Sequence, residues 1–292
     1  MKFILKLLSR IGILQYFNYT STISLNNKTL KVPIIKGLGL CNLNQKHTWF
    51  TGLIKQLYKH YPNHEFLDIG ANVGQTLIQV QSAAPQWKYN GFEPNENCVF
   101  YLNIFIKAND LTQSKIFPYA VSDTTEKINL FLNSNADTTA TTIDAFRPHV
   151  YDNGMMQEIK AINFDEFYEK ELSKESSFIV KIDIEGAEYL ALQGMSNFLK
   201  EKRPIILCEV LDTHSKATLD NHKLHLTHIE IAMNELNYNI YQIIRSDDDQ
   251  NIRAFQRIEK FEIKIWSIES IQLNDYLFIP EENQLNLKTL LI

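Results

Sequence analysis

The chain has 292 residues, 45% hydrophobic and 22% charged, enough to bury a core as one large domain or one domain with an appendage. A net charge of −5 gives no electrostatic ground for a nucleic-acid partner. Cys41, Cys98 and Cys208 are far apart and form no CxxC pair, which argues against a disulfide framework or a zinc site and fits a reducing compartment.

The N-terminal "MKFILKLLSRIGILQYF" is apolar but broken by Lys6 and Arg10, and no small-residue cleavage site follows. No window reaches the ~18 uncharged apolar residues needed to span a bilayer. The segment is expected to be a helix packed on its own domain. The alternative is a basic amphipathic helix over residues 1–17, in peripheral contact with the inner membrane surface. A cytoplasmic location is expected either way.

"STISLNNKTLKVPII" alternates about Asn26-Asn27, the pattern of a β-hairpin. Residues 1–45 therefore read as an N-terminal extension and 46–292 as the main domain. From Phe50 strands alternate with helices. Apolar runs at 65–70, 88–94, 115–121, 177–186 and 203–211 are separated by helical spacings such as Val73, Leu77, Val80, Ala84 and Ala187, Leu190, Ala191, Met195. This predicts a Rossmann-like, mostly parallel α/β sheet with helices on both faces. Residues 127–133 and 159–163 read as short extra strands, and 134–157 as a loop over the active face, with Phe146 and Tyr151 suited to stacking on a sugar. A last helix is expected over 228–238. Strands at 239–245 and 275–280 are then expected as a hairpin closing one sheet edge.

The first strand ends in "DIGANVG" (68–74), and a helix is expected to start near Asn72. Gly70 permits the turn, Gly74 permits close approach, and the helix N-terminus offers free N–H donors. A dinucleotide site needs a glycine where Asn72 stands, because a Cβ obstructs the pyrophosphate. Asp68 repels a phosphate and suits a cationic amine. Asp68, Gly70, Asn72 and Gly74 thus point away from NAD and towards S-adenosylmethionine, whose amino-acid end is a zwitterion. The second strand ends at Glu93, placed to accept hydrogen bonds from ribose hydroxyls, and Pro94 keeps its backbone extended. After the third strand, Val121 and Ser122 with Ala120 are candidates for the adenine wall.

In "VKIDIEGAEYLALQGM" (180–195), Lys181, Asp183 and Glu185 alternate with apolar residues and are expected on one strand face. Buried charges there are costly unless paired or used. "DIGANVG", "FEPN", "AVSD", "KIDIEGAE", "RPIILCEV" and "DYLFIP" occur in the order in which they appear in FkbM-type methyltransferases, and residues 50–280 resemble that family. The resemblance implies a class I S-adenosylmethionine-dependent fold with a seven-stranded sheet and one antiparallel edge strand. It also implies transfer to an oxygen, often a hydroxyl of a sugar, glycan or natural product. By matching position it assigns Asp68, Gly70, Asn72 and Gly74 to the methionine end, Glu93 to the ribose, Asn95 to support from the next turn, and Asp183 to the methyl group.

A hydroxyl is a poor nucleophile, so a base or a metal would assist. Asp183, Glu185 and His214 are the catalytic candidates. Asp183, Glu209 and Asp212 are the candidate ligands for a magnesium-like cation. His222, His225 and His228 read as helix-entry residues. An NAD-dependent oxidoreductase and a non-catalytic binding module with the same fold are the competing readings. A small-molecule or glycan acceptor is the expected partner.

Overall fold

A computed structural model describes residues 16–133, 140–143, 154–267 and 270–291, apart from the side chain of Ile271. The expected N-terminal helix, most of the 134–157 loop, Phe146 and Tyr151 lie outside the described residues. The hairpin is present as β1 (Asn18–Leu25) and β2 (Lys28–Ile35). Asn26 and Asn27 take φ of 49° and 61°, the left-handed pair of a two-residue turn that asparagine tolerates. Its inward residues Leu30, Val32 and Ile34 join one hydrophobic core with Leu53, Leu77 and Tyr101.

The alternating region begins with α1 (Trp49–His60), started by a capping box between Thr48 and Thr51. Then come β3 (Glu65–Ile69), α2 (Gln75–Ala83), β4 (Tyr89–Phe92), α3 (Glu96–Ala108) and β5 (Ser114–Phe117). A small sheet follows, β6 (Ala120–Ser122), β7 (Lys127–Leu132) and β8 (Met155–Asn163), in the order β6-β8-β7. The chain continues through α4 (Phe164–Glu171), β9 (Phe178–Ile182), α5 (Glu188–Gly194), α6 (Ser196–Lys202) and β10 (Ile205–Glu209). It finishes with α7 (Leu219–Glu235), β11 (Tyr238–Arg245), β12 (Ile252–Ile258) and β13 (Asp275–Pro280).

The large sheet runs β12-β11-β13-β10-β9-β3-β4-β5. Strands β10, β9, β3, β4 and β5 are mutually parallel, while β13 is antiparallel to both β10 and β11. Strand order departs in opposite directions from β3, towards β4 on one side and β9 on the other, so a crevice opens at the carboxyl ends between them. Side chains alternate between two cores. Phe66 and Ile179 face the hairpin, α1, α2 and α3, whereas Leu67, Val180 and Ile182 face α4 to α7.

The expected doubly wound sheet is thus present, with differences of detail. The seven strands anticipated are joined by an eighth, β12, which pairs outside β11. Its "IRAFQRI" carries two arginines and is mostly solvent-facing, so it gave no apolar run to notice. Two strands run against the parallel set, β12 at the edge and β13 between β11 and β10. The run 115–121 is two strands in two sheets, broken at Pro118, which lacks an N–H, with Tyr119 N–H bonding back to Phe117 O at 2.9 Å. The helical pattern at 187–199 is two helices meeting at Met195. Helix α7 starts at Leu219, so His222, His225 and His228 lie inside it and not at its entry. The first βα turn also runs longer than expected, and α2 begins at Gln75 with Gly74 as its cap.

Candidate active site

The turn after β3 is built on three left-handed residues: Gly70 at φ 97°, Asn72 at 49° and Gly74 at 84°. Gly70 is obligatory on two counts, since a Cβ there would also stand 2.0 Å from the Asp183 carbonyl oxygen. Its N–H and that of Ala71 both bond Phe92 O at 3.0 Å, while Asp183 N–H bonds Ile69 O at 3.0 Å. The ends of β3, β4 and β9 are therefore tied together around one glycine.

Glu93 is the anchor of the second strand end. Its Oε2 accepts the Asn72 N–H at 2.7 Å and its Oε1 accepts the Asn95 N–H at 2.8 Å. Burial raises its pKa to about 7 against the lowering effect of those two bonds. Beneath the turn, Asp68 is fully buried and accepts a hydrogen bond from the Tyr89 hydroxyl. Burial lifts its pKa to about 7, opposed by the charge of Lys181, which is its register partner on β9.

Lys181 Nζ lies 2.6 Å from Asp183 Oδ2. Burial works against the lysine's charge, but Asp183 and Asp68 together outweigh it and hold its pKa above the ordinary value. Glu209, at the end of β10, is pushed well above the usual carboxylate range, first by the Asp183 charge and then by burial. Asp275, the register partner of Glu209 on β13, is raised to about 6 by burial against the pull of Arg245 and Lys181. Arg245 pairs with Asp249 at 2.9 Å and Asp275 at 3.4 Å, with its guanidinium 5.2 Å from the Trp49 ring centroid.

Glu93, Lys181, Asp183, Glu209, Arg245 and Asp275 line one cavity of about 390 Å³. Of the residues expected from sequence, Gly70, Asn72, Glu93, Val121, Asp183, Glu185 and Glu209 line it. Several others do not. Asp68 is sealed below the turn, and Gly74 packs on Leu102 of α3, which a Cβ would approach to 2.8 Å. Asn95 caps α3 through Asn97 N–H at 3.0 Å and reaches the cavity only through its backbone bond to Glu93. Ser122 turns to Asp123, its hydroxyl 3.1 Å from Oδ1. His214 is drawn off to stack on Trp266, centroids 5.7 Å apart. Glu185 is not on the β9 face with Lys181, because the strand ends at Ile182 and Glu185 takes a turn conformation at φ 55°.

The metal reading does not fit the donor set. Asp212 is buried away from the cavity that Asp183 and Glu209 line. The cation those carboxyls face is Lys181, and among the described residues no cluster of three ligating side chains has metal-binding geometry. The cavity also takes residues that sequence reasoning missed. Trp49 and Phe50 enter from α1, Gln75, Thr76 and Gln79 from α2, Tyr119 from before β6, and Arg245 and Asp275 from the last strands. Only the position of Asp275 and Arg245 at strand ends offered a signal, since a strand's carboxyl end or its antiparallel partner's start borders the crevice.

A parallel sheet of this order, glycine-turned after β3 and carrying an acidic residue at the end of β4, is the class I methyltransferase fold. A sequence model of the Methyltransferase FkbM domain matches residues 68–262, and the chain belongs to that family. Three solved structures are similar to it at low identity. FkbM methyltransferase from Methylobacillus flagellatus KT is 14% identical with a TM-score of 0.42, over 74% of this chain and 43% of that one. An O-methyltransferase from Bacillus cereus in complex with SAH is 12% identical, TM-score 0.43, over 78% of each chain. A precorrin-6y C5,15-methyltransferase from Geobacter metallireducens GS-15 is 11% identical, TM-score 0.33, over 74% of this chain and 78% of that one. The chain thus spans less than half the length of the Methylobacillus protein. No curated protein matches it. Among the described residues no helix is long and apolar enough to cross a membrane.

Proposed function

We propose that the chain transfers a methyl group from S-adenosylmethionine to a hydroxyl oxygen of a small acceptor, a sugar, glycan or natural product. The observation that carries this is Glu93, a buried carboxylate in the cavity wall, fixed by two backbone N–H bonds at the end of β4. A carboxylate so held accepts vicinal hydroxyls without moving, which suits the ribose of the donor. Tyr119, Ala120 and Val121 supply an aromatic and apolar wall for the base. Gly70 and Asn72 line the cavity at the turn, and Asp183 and Glu185 bring carboxylates next to a cationic donor. The methyl group is already activated by its sulfonium, so these residues serve to align the donor and exclude water. Asp183 is engaged by Lys181, so it is held in place as a paired carboxylate beside the donor. Family membership sets aside the oxidoreductase reading.

The test is transfer from donor carrying a ¹³C-methyl group to a pooled extract of polar metabolites and glycans. A new methyl signal at an ether shift supports the reading. Signals only at amine or thioether shifts would move the acceptor to another class, and none at all would favour the non-catalytic alternative.

A further inference from the structure

Four residues stand abreast along the carboxyl edge of the large sheet. Phe92 pairs with Ile69, Ile69 with Ile182, and Ile182 with Cys208. Their successors Glu93, Gly70, Asp183 and Glu209 therefore follow one another across β4, β3, β9 and β10, and all four line the same cavity. Glu209 pairs in turn with Asp275 on β13, and Arg245, the last residue of β11, closes the row. Neighbouring strands lie about 4.8 Å apart, so three of these steps set Glu209 about 14 Å along the row from Glu93.

Methyl transfer as proposed uses one end of this row, with the ribose on Glu93 and the base against Tyr119, Ala120 and Val121. The other end, over β10, β13 and β11, borders the same continuous space. Trp49 stands above it, its ring centroid 5.2 Å from the Arg245 guanidinium, with Phe50 beside it at 5.7 Å between centroids. The two cations there are already matched. Lys181 lies 2.6 Å from Asp183, and Arg245 lies 2.9 Å from Asp249 and 3.4 Å from Asp275. A guest meets carboxyls and paired cations, a setting that favours a neutral hydroxyl compound over a phosphate or a carboxylate.

The carboxyls of the β9–β10 step have different surroundings. Asp183 is engaged by Lys181, whereas Glu209 is hydrogen-bonded to Asp183 and faces the charges of Asp183 and Asp275. The Asp183 charge, then burial, then Asp275 raise its proton affinity, against the pull of Lys181. Arg245 of β11 stands behind Asp275, and the residues that α1 and α2 bring to the cavity are uncharged. A carboxylate so placed is a stronger base than one in water.

We propose that the β10–β11 end of the cavity holds the acceptor, an uncharged hydroxyl compound, and that Glu209 takes its hydroxyl proton during transfer. The inference rests on the methyl-transfer reading above and keeps donor and acceptor side by side in one cavity. In the step, the hydroxyl oxygen bonds to the methyl carbon, and the S–CH₃ electron pair stays with sulfur as a neutral thioether. The hydroxyl proton passes to the ionised Glu209 carboxylate, which loses it to water after the product leaves.

The experiment uses the full chain, the ¹³C-methyl donor and the pooled extract of polar metabolites and glycans, after calorimetry with S-adenosylhomocysteine. If that product does not bind, or no ether methyl forms, the methyl-transfer reading falls and this inference with it. With both in hand, Glu209→Gln should bind S-adenosylhomocysteine within about twofold of the wild type yet transfer about 100-fold more slowly. Glu209→Asp, which restores a carboxylate, should recover part of that rate. At saturating donor, which removes the titration of Glu93 in the free protein, the wild-type rate should rise with pH and level off, and Glu209→Gln should lose the rise. In protein ¹³C-labelled at glutamate carboxyls, the signal missing from Glu209→Gln should titrate at the midpoint of that rise. The labelled ether should pass both anion and cation exchangers. A wild-type rate or weakened product binding in folded Glu209→Gln, a Glu209 carboxyl that titrates in the ordinary range, or label confined to charged compounds would each overturn the proposal. A flat wild-type pH profile would do so even if the variant failed to fold.

Discussion

Glu93 shows how a single residue's environment becomes a measurable property. In the free protein its pKa is raised to about 7 by burial, and only the ionised form accepts both hydroxyls of a ribose diol with charge assistance. Affinity for S-adenosylhomocysteine should therefore fall about tenfold per pH unit below that value, a drop readable by titration at pH 8, 7 and 6. Stability should move the opposite way. Glu93 and Asp68 both retain protons in the folded state that they lose when unfolded, so the native state binds more protons through the window from about pH 4 to 7. Ligand-free stability is then greatest at the acid side of that window and is lost as pH rises through about 7. Lys181 offsets part of that loss. Lys181→Met should cost about 3 kcal/mol at pH 8, where Asp68 is charged, and clearly less at pH 5, as denaturant melts at the two pH values would report.

At the scale of elements, glycines fix how closely strands and helices approach. Gly194, at the end of α5, sits so near β6 that a Cβ would be 1.8 Å from the Ser122 carbonyl. Gly194→Ala should therefore destabilise the fold by about 3 kcal/mol by forcing α5 off the small sheet, seen as a lowered denaturation midpoint. The same scale shows what the sequence made legible. "DIGANVG" and "FEP" were readable because a glycine turn and an acidic strand end are local demands that a few adjacent residues must meet. Strand β12 and the early start of α7 were not, since Arg253, Arg257 and the three histidines are polar residues whose place is set by neighbours distant in sequence. The displacement of Ser122 and His214 from the cavity is of that kind too. Each was assigned by chain proximity to a strand end, and each is redirected by a partner, Asp123 or Trp266, that spacing alone does not reveal.

For the whole molecule, the sheet separates two cores, and the N-terminal hairpin belongs to one of them. Removing residues 1–37 would strip Leu30, Val32 and Ile34 from the core they share with Leu53, Leu77 and Tyr101, so the shortened chain should fail to melt cooperatively by circular dichroism. On the same face, α1 carries Trp49 and Phe50 into the cavity, which is thus completed by a helix ahead of the alternating strands. The proposed function requires this crevice to hold the nucleoside of S-adenosylmethionine on Glu93. Calorimetric titration of S-adenosylhomocysteine into the wild type, Glu93→Gln and Glu93→Ala tests it most directly. Micromolar binding to the wild type, weaker by about 10-fold in Gln and about 100-fold in Ala, is the predicted result for the loss of charge-assisted hydrogen bonds. Equal affinity in all three proteins, with their folds intact, would contradict it.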